Sequence, residues 1–217
     1  MLIDDQQKFI FVHVQKSAGI SLEAVLQRRF PGVRIWHGRH GHARVGIREM
    51  GRERWDDYYS FGFVRNPWDR LVSWYSMIQE AKKKLPFFKR FSKHPFEVEL
   101  WNHALRTSHD FESFLENSTA VVFDRGCDKS FAYNQIDYLS DESGKLAVDF
   151  VGRFENLAAD TERVFQRLGI PNETLPRLNR SQHTHYSQWY TPKTRDLVAA
   201  RFAKDIAAFG YQFEQVG

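Results

Sequence analysis

Hydrophobic and polar residues fall in blocks along the chain, and the blocks predict strands that are each followed by a helix. Lys8–Val14 is a bulky, β-branched run with little alternation, which is typical of a buried strand. Apolar residues then recur at the spacing of one helix face, at Leu22, Val25, Leu26 and Phe30. Tyr58–Val64 repeats the strand pattern, and Asn66 and Pro67 have the residue types of a helix cap and a first helical position.

The rest of the chain continues this alternation. "FPGVRIW" predicts a short strand, "HARVGIREM" a helix from about Ala43, and "NQIDYLSDESGKLAVDFVGRF" a strand, a turn and a second strand. Two later helices are predicted, one in "ENLAADTERVFQRLGIP" and one from the cap Thr191 through Pro192 to the stop at Gly210. Alternation of strands and helices favours an α/β fold with a mostly parallel sheet.

Size and composition narrow the class of protein. The 217 residues suffice for one domain with a full core, and 42% of them are hydrophobic, which indicates a globular chain. No apolar run approaches the roughly 20 residues that span a bilayer. With Cys127 as the only cysteine and no signal-peptide pattern at the N-terminus, we expect a cytoplasmic protein without an intrachain disulfide. The net charge of +4 suits an anionic ligand without requiring nucleic acid.

The polar stretch between the first strand and its helix has the composition of an anion-binding turn. Lys16 follows the carboxyl end of a strand, where ligands bind in α/β sheets. Small and hydroxyl residues surround it at the positive end of the helix: Ser17, Ala18, Gly19 and Ser21. The residue order differs from the Walker A loop, G-x-x-x-x-G-K-[ST]. The turn predicts a phosphate site, and the alternative is an ordinary turn with a solvated lysine.

A second strand–helix junction, "FGFVRNPWDRLVSWY", offers another anion site. Arg65 leaves the strand end, and Ser73 lies about one turn inside the predicted helix. An arginine fork and a hydroxyl from one junction can converge on a phosphate. The alternative is that Arg65 pairs with a structural carboxylate and that Ser73 is an ordinary helix residue.

Together the two junctions resemble the donor-binding motifs of sulfotransferases. "QKSAGISL" resembles the 5′-phosphosulfate loop, P-K-[ST]-[AG]-[GST]-[ST]-S-L, and "FVRNPWDRLVSWY" resembles the 3′-phosphate motif, R-[ND]-P-x-[DE]-R-x-x-S-x-[FY]. Likeness to family-2 sulfotransferases, which include bacterial members and Golgi carbohydrate sulfotransferases, continues in "GHARVGIREM", "VGRFENL", "LNRSQHTHYSQWY" and "FAKDIAAFGYQF". Gln15 departs from the usual proline, and His13 stands where heparan 2-O-sulfotransferases carry an arginine.

The resemblance implies an α/β fold like that of P-loop kinases, with a central parallel sheet of four to five strands flanked by helices in one domain over residues 1–217. It also implies 3′-phosphoadenosine 5′-phosphosulfate (PAPS) as donor, 3′-phosphoadenosine 5′-phosphate (PAP) as product, a hydroxyl acceptor on a carbohydrate and no required metal. Lys16 would stabilise the leaving phosphate. The donor-binding residues would be Lys16, Ser17, Ala18, Gly19, Ile20 and Ser21 for the 5′ end, Arg65 and Ser73 for the 3′-phosphate, and Arg180 and Ser181 over the nucleotide.

A hydroxyl acceptor needs a base that titrates near neutral pH, and histidine is the usual choice. "WHGRHGHA" clusters His37, His40 and His42 after the second strand. The resemblance assigns the base to His42, with His40 as the second candidate. A metal site and a surface loop with incidental histidines are the alternatives, although no carboxylate or cysteine completes a ligand set in the sequence.

Two other functions share parts of this pattern. One is an ATP-dependent kinase on the same fold, and the other is a non-catalytic protein that binds a nucleotide or an anionic glycan. A nucleic-acid binder is disfavoured, because the basic residues are spread along the chain and no recognised module is present. The acceptor's identity and the oligomeric state are left open by the sequence.

Overall fold

The computed structural model describes residues 1–87, 89, 92–124, 127–176 and 184–215. The chain divides into two compact units. The first unit consists of Met1–Arg65 with Gln135–Arg180, and the second consists of Asn66–Asn134 with Ser181–Gly217. A single sulfotransferase domain over residues 1–217 stays a prediction.

Seven strands and ten α-helices lie in the described residues. The strands are β1 (Leu2–Asp4), β2 (Phe9–Val12), β3 (Arg34–Ile35), β4 (Tyr59–Val64), β5 (Val122–Asp124), β6 (Cys127–Lys129) and β7 (Phe150–Arg153). The helices are α1 (Gly19–Arg29), α2 (Ala43–Met50), α3 (Arg52–Asp56), α4 (Pro67–Lys84), α5 (Glu99–Thr107), α6 (Phe111–Asn117), α7 (Gln135–Leu139), α8 (Leu157–Arg167), α9 (Pro192–Arg201) and α10 (Ala203–Phe209).

The first unit is built on a five-stranded sheet in the order β3-β1-β2-β4-β7. Strands β2, β4 and β7 are parallel neighbours, whereas β1 is antiparallel to both β2 and β3. The α/β class is therefore confirmed, but the prediction of a parallel sheet holds for only three of the five strands. The sheet is mixed because a short turn joins β1 to β2, and parallel neighbours need a much longer crossover. In that turn Asp4 accepts hydrogen bonds from the backbone of Gln6 and Gln7, each at 2.9 Å.

Helices cover both faces of this sheet. One face carries the phenylalanines of β2 and β4, which are Phe9, Phe11, Phe61 and Phe63. They share a core with Leu22 of α1 and Phe165 of α8, so these two helices pack on that face. Gly62 points to the opposite face, because successive residues of a strand alternate. A Cβ there would lie 2.5 Å from Leu139 Cδ2, so α7 covers this second face closely.

The second unit is mostly helical and has an aromatic core. Its helices are α4, α5, α6, α9 and α10, and β5 and β6 form a separate two-stranded sheet. Asn66 accepts a hydrogen bond from the backbone N–H of Trp68 at 3.1 Å, and Pro67 is the first helical residue, which confirms the predicted start of α4. Among the residues that the structure describes, no helix has both the length and the apolar character needed to cross a bilayer.

Two predicted elements differ from the structure. The segment "NQIDYL" was predicted as a strand, but Gln135–Leu139 is the short helix α7. The buried residues of α7 are Gln135, Tyr138 and Leu139, and a segment of five residues is too short to separate the helical period from that of a strand. The closing helix begins at the predicted cap Thr191 and stops at Gly210, but it is broken into α9 and α10 at Phe202.

Candidate functional site

The predicted anion-binding turn, called here the Lys16 loop (residues 15–21), has an unusual backbone. Lys16 and Ala18 have φ angles of 69° and 66°, in the left-handed region that non-glycine residues seldom adopt. Alternating left-handed residues turn successive N–H groups toward one side and form an anion-binding concavity. Among the described residues, none accepts a hydrogen bond from the backbone N–H groups of Ser17, Ala18, Gly19 or Ile20. The loop thus presents several N–H donors at the first turn of α1.

Gly19 allows a close approach that any other residue would prevent. A Cβ at this position would lie 2.0 Å from Nε2 and 1.9 Å from Cδ2 of His13. The His13 side chain is 2% exposed and stacks on Phe11 with a ring-centroid distance of 5.5 Å. The glycine therefore lets an imidazole at the end of β2 pack directly against the start of α1.

The side chains of the Lys16 loop differ in their surroundings. Ser17 is buried, and its Oγ donates a hydrogen bond to the carbonyl of Val14 at 2.8 Å, which ties the loop to the end of β2. Ser21 is also buried, Lys16 is half-buried, and Ile20 is 46% exposed. The Ser17 hydroxyl therefore donates its hydrogen to the Val14 carbonyl. The sequence had predicted that it would donate to a phosphate.

Arg65 follows β4, the parallel neighbour of β2, and it contacts the Lys16 loop directly. Arg65 is 6% exposed, and its NH1 donates a hydrogen bond to the Lys16 carbonyl at 3.2 Å. Its guanidinium carbon lies 3.9 Å from the ring centroid of Phe154. The fully buried Gln135 holds the Arg65 backbone from both sides: Oε1 accepts from its N–H at 2.9 Å, and Nε2 donates to its carbonyl at 2.7 Å. The segments that follow β2 and β4 are thus joined by a hydrogen bond within the first unit.

Three of the predicted donor-binding residues are not among the described residues of the first unit. Ser73 belongs to α4 in the second unit, where it is 2% exposed. Arg180 and Ser181 lie outside the described residues. The prediction that these three residues contact the donor therefore stays a prediction.

His42 caps α2 and is held as a neutral base would be. Its Nδ1 lies 3.0 Å from the carbonyl of Asp137. Because a carbonyl oxygen only accepts, Nδ1 carries the hydrogen, and Nε2 has the lone pair of the neutral ring. The ring stacks on Tyr138 with a centroid distance of 4.2 Å. Burial, followed by the charge of Arg44, lowers the pKa of His42 to about 4, so the ring is neutral at pH 7 but is a weaker base than the near-neutral histidine that the sequence predicts.

The other two histidines of the cluster point to different partners. Nδ1 of His40 lies 3.0 Å from the carbonyl of His13 and must donate to it for the same reason. Nε2 of His37 lies 2.7 Å from Oε2 of Glu49. In the part of the chain that the structure describes, no group of three or more histidine, cysteine, aspartate or glutamate residues is arranged to hold a metal ion.

Four contacts of this site were not predicted. Gln135 holds the backbone of Arg65, and the carbonyl of Asp137 fixes the tautomer of His42. Tyr138 stacks on the His42 ring, and Phe154 lies against the Arg65 guanidinium. All of them lie more than 80 residues after the Lys16 loop, in a segment predicted as two strands joined by a turn. The nearest signal was the likeness of "VGRFENL" to sulfotransferases, which includes Phe154.

The family model of the sulfotransferase family matches residues 1–212, so the chain belongs to the family-2 sulfotransferases. It is 28% identical over 140 residues to an uncharacterized protein of Archaeoglobus fulgidus, which covers 63% of this chain and 89% of that protein. It is 23% identical over 199 residues to carbohydrate sulfotransferase 10 of Danio rerio, covering 79% of this chain and 54% of that relative. The match thus spans about half of the fish protein's length. No solved structure matches the chain significantly.

Proposed function

We propose that this protein transfers a sulfuryl group from PAPS to an acceptor hydroxyl, on a fold related to that of P-loop kinases. One observation carries the proposal: the N–H groups of Ser17, Ala18, Gly19 and Ile20, at the start of α1, have no acceptor among the described residues. This donor set fits the 5′-phosphosulfate end of PAPS, because several N–H groups and the helix dipole favour an anion there.

The half-buried Lys16 adds a full positive charge to this loop. In an in-line transfer the bond from sulfur to the bridging oxygen breaks, and negative charge develops on the leaving 5′-phosphate. Lys16 and the N–H groups stabilise that charge without rearrangement, since the backbone already has the required conformation.

Arg65 is suited to the 3′-phosphate. Its guanidinium is fixed by the contacts with Phe154 and the Lys16 carbonyl, and its backbone is held by Gln135. A planar cation held in one orientation binds phosphate through two parallel hydrogen bonds at a small entropic cost. Ser73 stays the predicted hydroxyl ligand of the same phosphate.

His42 is the proposed base. In the neutral tautomer fixed by Asp137, Nε2 accepts the proton of the acceptor hydroxyl while the oxygen attacks sulfur. Stacking on Tyr138 limits rotation of the ring. His40 donates through Nδ1 in the same way, so it stays the second candidate.

A carbohydrate acceptor is supported by the name of one relative, carbohydrate sulfotransferase 10 of Danio rerio. Radiolabelled PAPS offered with a panel of neutral and anionic oligosaccharides would identify the acceptor through the labelled product.

The first experiment is calorimetric titration with PAP and with 5′-AMP, in the presence and absence of EDTA. We expect PAP to bind at least about 100-fold more tightly, because a charged hydrogen-bonded phosphate contributes several kcal/mol. Arg65→Ala should remove this preference. Arg163→Ala, an exposed arginine of α8, is the matched control and should leave both affinities unchanged.

Each outcome separates the possible functions. Equal affinity for PAP and 5′-AMP would contradict the two-phosphate donor site. Mg²⁺-dependent binding of ATP in preference to PAP would instead favour a kinase. Tight PAP binding without transfer to any oligosaccharide would favour a non-catalytic binding protein.

A further inference from the structure

A buried carboxylate lies one helical turn beyond Gly19, just after the Lys16 loop. Glu23 follows Gly19 by four residues on α1, so the two positions share one face of the helix. The Glu23 side chain is 7% exposed. A charged carboxylate at such a site costs free energy unless cations and donors compensate it. Burial acts to raise the pKa of Glu23, but His13 and Arg39 outweigh it and lower the pKa below its ordinary value.

The principal partner of Glu23 belongs to the segment that carries the candidate bases. Arg39 lies in the histidine segment, defined as residues 37–42, and it meets Glu23 in a two-point contact. Arg39 NH2 donates a hydrogen bond to Oε1 at 3.1 Å, and Arg39 Nε lies 3.0 Å from Oε2 without the geometry of a second hydrogen bond. A charge-assisted hydrogen bond with a second close approach holds the guanidinium beside the carboxylate. The histidine segment is therefore fastened to the helix that begins at the Lys16 loop.

The same carboxylate also faces the end of β2. Nδ1 of His13 lies 3.6 Å from Oε2 of Glu23, while the other edge of that ring packs on Gly19. The carbonyl of His13 accepts a hydrogen bond from His40 at 3.0 Å, and the two rings meet edge to face with centroids 4.5 Å apart. Glu23 thus contacts one residue on each side of the site, Arg39 and His13, and both neighbour His40.

We propose that Glu23 is a positioning residue of the transfer reaction, because its carboxylate couples the Lys16 loop to the histidine segment that carries His40 and His42. This inference rests on the proposed function. Glu23 touches neither donor nor acceptor: it fixes the distance between the group that stabilises the leaving phosphate and the group that accepts the proton.

The test uses Glu23→Gln, which keeps the shape of the side chain and removes its charge. PAP affinity should change by less than about threefold, because the loop that holds the anion is intact. The rate of PAP formation from PAPS, with water as the acceptor, should fall about 10- to 100-fold through misplacement of the base. In hydrogen exchange, PAP should slow the amides of residues 37–42 in the native protein by about fivefold or more, and this protection should be lost in the variant.

Arg39→Ala provides a second variant whose side chain is half exposed, so it tests the same contact if Glu23→Gln folds poorly. It should reproduce both effects, and the double variant should be no worse than Glu23→Gln alone, because the two residues form one contact. Glu53→Gln is the matched control: it makes the same chemical change at an exposed position of α3 and should change nothing.

Two failures are distinguishable in these measurements. If the native protein binds no PAP, the proposed donor site is wrong and the inference falls with it. If the native protein binds PAP but Glu23→Gln retains both the protection of residues 37–42 and the rate, the donor site stands and the positioning role of Glu23 is overturned. Additive effects of Glu23→Gln and Arg39→Ala would also contradict a shared contact.

Discussion

The Lys16 loop and the histidine segment lie in the same unit, but they are held by different means. The Lys16 loop is shaped by its own backbone, with left-handed residues at Lys16 and Ala18 and an internal hydrogen bond from Ser17 to Val14. The histidine segment is held by contacts with other parts of the chain: the Glu23 side chain contacts Arg39, and the backbone carbonyl of Asp137 accepts a hydrogen bond from Nδ1 of His42. An anion site can therefore be a local property of a strand–helix turn, whereas a correctly placed base depends on tertiary packing.

This difference predicts that changes in the two regions will separate binding from chemistry. A change in the Lys16 loop should alter donor affinity together with rate. A change in the histidine segment should alter rate and leave donor affinity close to its native value, because the N–H donors of the loop do not depend on the segment's side chains.

The largest effect is expected from His42→Ala. Loss of a general base lowers a rate by about 10²- to 10⁴-fold. PAP affinity measured by calorimetry should be unchanged. His40→Ala is the matched comparison in the same segment and should have a smaller effect on rate. If His40→Ala were the more damaging change, the base would be His40 and the assignment to His42 would be wrong.

Gly19→Ala tests the close approach in the Lys16 loop. The added Cβ meets the His13 ring, so we expect the free energy of unfolding to fall by about 1–3 kcal/mol, as in other overpacked sites. PAP affinity should fall as well, since the loop must move. Denaturant titration and calorimetry measure the two effects.

His13→Ala gives the control for this prediction. It removes the ring that the new methyl group would strike, so the double variant should lose less stability than the sum of the two single changes. Fully additive losses would show that Gly19 is required for another reason, and the packing argument would then not apply.

The sequence predicted local features well and distant contacts poorly. The capped start of α4 at Asn66 and Pro67 and the strand end before Lys16 follow from residue types within a few positions, and the structure confirms both. The strand β1 was not predicted, because three residues followed by a turn carry too little periodicity. The pairing of Gln135 with Arg65 joins residues 70 positions apart, and no local pattern encodes such a contact.

Gln135→Ala tests the side-chain contact that holds the Arg65 backbone. The change leaves the buried N–H and carbonyl of Arg65 without their partner, which should cost about 2 to 4 kcal/mol of the free energy of unfolding. The preference for PAP over 5′-AMP should weaken in parallel. Gln166→Ala, on α8, removes an exposed side-chain hydrogen bond to Glu162 and should change stability by less than about 0.5 kcal/mol. Equal effects of the two changes would argue against the role of Gln135 in holding the Arg65 backbone.

The pH dependence of the site is the subtlest expected effect. Burial disfavours the charged imidazolium of His42, and the positive charge of Arg44 adds to this, so the pKa of about 4 keeps the ring neutral and able to accept a proton well below pH 7. The acid limb of kcat/KM, which reports the free enzyme, should therefore lie near pH 4 and not near 6.5. A histidine ring NMR titration should give the same midpoint for His42.

Arg44→Gln separates the two causes of this shift. Removal of the positive charge should move the midpoint of His42 upward, although burial, the larger cause, should still hold it below the ordinary value of 6.5. Arg48→Gln, on the same helix but 69% exposed and paired with Glu142, is the matched control and should leave the midpoint unchanged. A native midpoint at the ordinary value would mean that solvent reaches the ring. In that case the histidine segment would be less tightly packed than its contacts with Asp137 and Tyr138 indicate. The histidine segment and the Lys16 loop would then differ in rigidity as well as in the contacts that hold them.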